Sequence, residues 1–186
     1  MNSNKQKNLP YKLIVNLFYP AILGSIFYTC LKVFSHPILF VKSSSTNLWA
    51  ILIAFAIILF LVFDYLDTIK VSNYSWLTFW LDILILVSIY VAFSSLNDFT
   101  KEIDHFLLPI SFGIISFIFI IYDLVDKELP RYITVINGIF FLLFVLMGIF
   151  SKIFSSHLII IDWISLILIA FSILKLWILW RKRNST

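Results

Sequence analysis

Hydrophobic positions along this chain fall into six long runs separated by short polar stretches. The runs cover about residues 13–34, 48–65, 76–96, 106–123, 132–154 and 158–180. Each is close to the roughly 20 residues that a helix needs to cross a bilayer. A run such as 48–63 is apolar throughout and shows none of the alternation of a barrel strand. Backbone in lipid must satisfy its own hydrogen bonds, so each run reads as a helix. The stretches between them, such as Lys42–Asn47 and Lys127–Arg131, are too short to fold alone. The expected fold is all-α: a polytopic helical membrane protein with six spans in one integral domain, residues 1–186.

Composition strengthens this reading. The chain is 61% hydrophobic and 13% charged, against about half and about a quarter for a soluble domain. Cys30 is the single cysteine, which excludes an internal disulfide and any CxxC metal or redox pair. The first run follows Lys5, Lys7 and Lys12. It is too long for the apolar part of a signal peptide and lacks a clean cleavage site, so a retained helix is expected. Six short-looped spans without a signal peptide suit a bacterial inner membrane.

Charge sets the expected orientation. With the N-terminus in the cytoplasm, that side collects Lys5, Lys7, Lys12, Lys70, Lys127, Arg131, Arg181, Lys182 and Arg183. The other side keeps Lys32, Lys42, Lys101 and Lys152. The positive-inside bias therefore puts both termini in the cytoplasm. Tyr11, Trp76, Tyr122, Tyr132 and Trp180 are expected to form the inner aromatic belt, and Trp49 and Trp163 the outer one.

Ionisable residues within spans are costly and point to function or to a specific partner. The candidates are Asp64, Asp82, Asp123, Asp162 and Lys175. At 1.5 Å per residue, Asp82 lies roughly 9 Å inside from Trp76, and Lys175 roughly 8 Å inside from Trp180. Equal depth predicts an Asp82–Lys175 ion pair. Asn16 and Asn137 fall in the same half of the membrane, so a polar cluster is expected there. His36, His105 and His157 stand at segment edges and read as solvated interfacial residues. Serines such as Ser25, Ser88, Ser111 and Ser165 are expected to bond back to their own helices. Ala21-xxx-Ser25 and Ala50-xxx-Ala54 are candidate close-packing faces.

Several function classes lose ground on what is missing. No carboxylate chain crosses the membrane, and there is no glycine-rich filter, arginine-repeat sensor or pair of Gly/Pro-broken helices. Asp64/Asp67 and Asp123/Asp126 each place two carboxylates at i, i+3. They are similar to the aspartate-rich helices that hold magnesium and a diphosphate in membrane prenyltransferases. Basic residues to grip phosphates are few nearby, and Thr68 follows Asp67 where the CDP-alcohol transferase pattern has glycine. Size and span count are also similar to the substrate-binding subunits of energy-coupling-factor vitamin transporters, but no motif residue is shared beyond a small-residue face on the first helix.

The function expected first is a non-enzymatic membrane subunit, oligomeric with itself, which senses a membrane state or anchors a soluble cytoplasmic partner. Asp67, Asp126, Arg181, Lys182 and Arg183 would dock that partner or anionic lipid. A defence or mobile-element module would suit such a protein. No cofactor, metal or direct nucleic-acid contact is expected. The alternatives are a small cation channel or proton-coupled carrier using Asp82, and a magnesium-dependent lipid-modifying enzyme.

Overall fold

The structure is a computed structural model. It describes residues 9–34, 45–69, 74–96, 103–125, 131–153 and 158–184, without the side chains of 32–34, 45–48, 125, 158, 159, 180 and 182–184. The described residues are helical with no strand, and six helices are long and apolar enough to cross a membrane. Helix α1 (residues 9–34) joins an α-turn, Leu9–Leu13, through a π-helical turn, Ile14–Phe18, to the α-helix Tyr19–Phe34. The others are α2 (Ser45–Thr68), α3 (Trp76–Ser94), α4 (Leu107–Val125), α5 (Arg131–Ile153) and α6 (Leu158–Asn184). The apolar runs thus locate all six helices. The ends differ most at α1, which starts earlier, and at α6, which continues past Trp180 into the basic tail.

Local chemistry fixes two of the starts. Ser75 caps α3, its Oγ accepting from the Thr78 N–H at 3.1 Å. Asp104 caps α4, its Oδ1 accepting from the N–H groups of Phe106 (3.0 Å) and Leu107 (2.9 Å). Each cap satisfies backbone donors that the first turn leaves without partners.

Helix α4 packs against both α3 and α5, α2 packs along α6, and α1 rests mainly on α3. The α4–α5 contact is close because Gly148 has no side chain: a Cβ there would lie 2.8 Å from the Ile110 side chain. Phe112 and Phe144 stack across this contact, 5.5 Å between centroids. Ile53, Ile57, Phe60, Ile85, Ile89, Phe112 and Phe144 fill the middle of the bundle at no more than 1% exposure. Ala50 and Ala54 are buried, as a packing face should be, whereas Ala21 and Ser25 face outward. Phe27, Leu84, Val87, Ile114, Leu142 and Ile167 are also exposed, so the bundle carries large apolar side chains on its outside as well as in its core.

Candidate functional site

Polar side chains from all six helices gather at the end where α1 starts and α6 finishes, the terminal end. From α1, the Tyr19 hydroxyl donates to Asp64 Oδ2 on α2 at 2.5 Å and lies 3.1 Å from Thr68 Oγ1. From α3, Asp82 takes two phenols: Tyr74 donates to its Oδ2 and Tyr122, on α4, donates to its Oδ1. Tyr122 also lies 3.0 Å from the Thr78 carbonyl. From α5, Asn137 Nδ2 donates to Asp123 Oδ2 on α4 at 2.8 Å. From α6, Lys175 Nζ donates to Asn137 Oδ1 at 2.5 Å and sits 4.3 Å over the Phe119 ring. Tyr11 closes the edge, donating to the Ile69 carbonyl at 3.0 Å and meeting the Tyr74 ring edge-on at 5.6 Å.

Asp64 and Asp82 are the chemically unusual members. Both are buried, at 5% and 3% exposure, and the partners holding both are neutral hydroxyls. A carboxylate taken out of water is expensive unless paired, and a hydroxyl bond to a charged group returns only about 1.5–3 kcal/mol. Asp64 lies within electrostatic range of Asp82, Asp67 and Lys175. Tyr74 stands just before α3, and burial followed by the charge of Asp82 holds its phenol well above the usual tyrosine value. It therefore stays protonated and remains a donor. The cluster's buried carboxylates are groups that can take up or release a proton, and among the described residues no three His, Cys, Asp or Glu side chains group as a metal site.

The predicted Asp82–Lys175 ion pair does not form. Tyrosines reach the carboxylate first from α4 and from the turn before α3, and Lys175 finds the Asn137 amide and the Phe119 face instead. Equal depth does not ensure equal facing. Asn137 joins the cluster as expected, but Asn16 faces outward. Asp64 turns inward to Tyr19, so Asp64/Asp67 do not present two carboxylates on one open face. Asp67 and Asp123 are partly buried and have further partners. Arg181 is exposed and lies over the Trp177 ring. Asp126 and the side chains of Lys182 and Arg183 lie outside the described residues, as do His36 and His157.

The tyrosines were the residues that sequence reasoning missed. The sequence places Tyr11 and Tyr122 in an aromatic belt, yet both point their hydroxyls inward. Trp76 and Tyr132 keep the belt-like exposure. A signal was present: a tyrosine within an apolar run must find an acceptor when buried, and Tyr19 and Tyr122 each stand in such a run.

The opposite end, the far end, is simpler. His105 Nδ1 meets Asp162 Oδ1 at 2.8 Å, with side-chain exposures of 11% and 3%. This corrects the expectation of a solvated His105: the turn before α4 tucks it against α6. Trp49 and Trp163 stack edge-on at 4.4 Å, and Lys152 lies 4.4 Å from the Phe106 ring. Ser88 and Ser111 bond back to their own helices, each at 2.8 Å, but the buried Ser165 Oγ has no partner.

No family model matches the chain, and no curated protein or solved structure is significantly similar to it.

Proposed function

We propose that the chain is a multi-pass membrane protein with both termini in the cytoplasm, a non-enzymatic subunit that senses the electrochemical state of its membrane. The terminal-end cluster is its sensing element. One observation carries this reading. Asp64 and Asp82 are buried on hydroxyl donors, while Lys175, a cation in the same cluster, is bound to a neutral amide. Buried carboxylates held by hydroxyls respond to protons and small cations, which reach them from the cytoplasmic side. Every helix contributes to the cluster, so a change in its charge is felt by the whole bundle. The exposed Arg181 and the rest of the basic tail fit a role in passing the signal to a soluble partner or to anionic lipid. A bacterial inner membrane suits the charge bias.

The alternative of a cation channel or proton-coupled carrier uses the same Asp82. The apolar middle layer supports a sensor over a conduit. Among the described residues, no side-chain hydrogen bond joins two helices between the terminal cluster and the His105–Asp162 pair.

The test is tryptophan emission from the full chain in liposomes under an imposed pH or potassium gradient. Trp76 and Trp80 flank the cluster on α3. The wild type should respond, Asp82→Asn should not, and neither should conduct above empty liposomes. An unresponsive wild type ends the sensor reading. Flux that disappears in Asp82→Asn replaces it with the carrier.

A further inference from the structure

The helices do not all pack with equal closeness. Helices α3, α4 and α5 form one tightly packed group, and α2 and α6 form a second. Each group has its own clasp at the far end. In the first, Lys152 of α5 lies over the Phe106 ring in the turn before α4, and Gly148 lets α5 approach Ile110 of α4. In the second, Trp49 of α2 meets Trp163 of α6 at 4.4 Å. Between the groups the contact is looser and runs over large side chains. Phe60 of α2 reaches Phe112 and Phe119 of α4, at 5.5 and 6.2 Å between centroids. This seam is fastened unevenly along its length. At the terminal end, Lys175 of α6 bonds Asn137 of α5. There α1, which rests on α3, also ties onto α2 through Tyr19 and onto Ile69 just past it through Tyr11. At the far end, among the described residues, one polar contact is shown crossing the seam, His105 to Asp162.

We infer that the His105–Asp162 contact is a latch: once it is released, the far end of the bundle opens along the seam between the α2–α6 pair and the α3–α4–α5 group, and the terminal end is the hinge. The inference rests on the membrane reading but not on the sensor assignment. Between membrane helices the hydrophobic effect gives little, because lipid chains are as apolar as the side chains they replace. A seam of apolar rings is therefore held by packing and by its polar contacts. Asp162 adds a drive to open. It is buried, and a carboxylate that loses its buried partner gains by reaching water. Parting the groups at the far end brings water to it. The clasps inside each group do not involve His105 or Asp162, so the groups part as units. The fastenings at the terminal end do not involve them either, so that end stays shut.

The test is the rate at which a water-soluble maleimide labels buried cysteines in the full chain, in liposomes at one fixed pH, with Cys30→Ser as background. Leu108→Cys reports the seam at the far end, since Leu108 is buried one turn before Phe112 on the same face of α4. Ser151→Cys reports the far end inside one group, since the buried Ser151 stands one turn beyond Gly148 on α5. Ser172→Cys reports the terminal half of the seam, since the buried Ser172 stands one turn before Lys175. His105→Ala should speed labelling of Leu108→Cys roughly five- to hundredfold and leave the other two rates unchanged, with helix content by circular dichroism as the check on folding. Asp162→Asn keeps the shape of the site and should give the same order with a smaller rise. An unchanged rate at Leu108→Cys in both variants would overturn the inference. So would an equal rise at Ser151→Cys, which means that the far end frays helix by helix, or at Ser172→Cys, which means that the whole bundle loosens. An alkaline carbonate wash that strips the chain from the vesicles would refute the membrane reading itself, which keeps that failure distinct.

Discussion

The two ends of this bundle handle buried polar groups in opposite ways. At the far end, a carboxylate meets an imidazole, and that contact links one turn to one helix. At the terminal end, side chains from six helices gather in three hydrogen-bonded groups, Tyr19–Asp64–Thr68, Tyr74–Asp82–Tyr122 and Asp123–Asn137–Lys175, and the buried Asp64 and Asp82 meet hydroxyls where Asp162 meets an imidazole. The far end is therefore a staple, whose loss is local. The terminal end is a network in a looser sense: its groups sit side by side, Asp64 feels the charges of Asp82 and Lys175, and between them the groups tie α1 to α2, α3 to α4, and α4 to α5 and α6. Networks of this kind are worth more than their pairs when complete and cost more when broken.

The largest expected effect breaks the network at its centre. Tyr74→Phe with Tyr122→Phe keeps both rings and removes both donors to Asp82. A buried carboxylate stripped of its partners costs about 3–5 kcal/mol. Unfolding in mixed micelles, followed by circular dichroism, should show the double variant destabilised by that amount. Each single variant should lose about 1–3 kcal/mol. A double variant that loses less than ~1 kcal/mol would mean that Asp82 has no need of its phenols, and the contrast between the two ends would collapse.

Next in size is the staple. His105→Ala leaves Asp162 buried without its partner and should cost about 1–3 kcal/mol. Its value lies in combination. Among the described residues the two ends share no hydrogen-bond partner, so His105→Ala and Tyr122→Phe should add within about 0.5 kcal/mol. Coupling beyond that would show that the apolar middle transmits strain between the ends, and would move the protein toward a carrier.

The six helices were legible because the signal for a span is a length of apolar residues, which neighbours do not alter. The existence of a polar cluster was legible for the same reason: Asp82, Asn137 and Lys175 stand in apolar runs at similar depth. Its wiring was not. Depth follows from counting residues at a fixed rise, but facing depends on helix rotation and on which neighbour arrives first. Tyr122 reaches Asp82 only because α4 packs on α3, a contact that no local pattern announces. Asn16 shows the converse, since it matches Asn137 in depth yet points outward.

The smallest expected effect carries the opposite sign. Ser165 lies one turn along α6 from Asp162, and its buried Oγ has no partner. Helical serines elsewhere in the bundle, Ser172 among them, give their proton to a carbonyl one turn back. An unmet buried hydroxyl is a cost, so Ser165→Ala should stabilise the chain, by up to about 1 kcal/mol. The size of the gain matters less than its sign, read in the same micelle unfolding measurement. A gain means that the far end is a single His–Asp staple with a spare hydroxyl beside it. A loss means that Ser165 bonds something in the membrane, through water or directly to Asp162. The far end would then hold a network of its own, and the two ends would differ in degree rather than in kind.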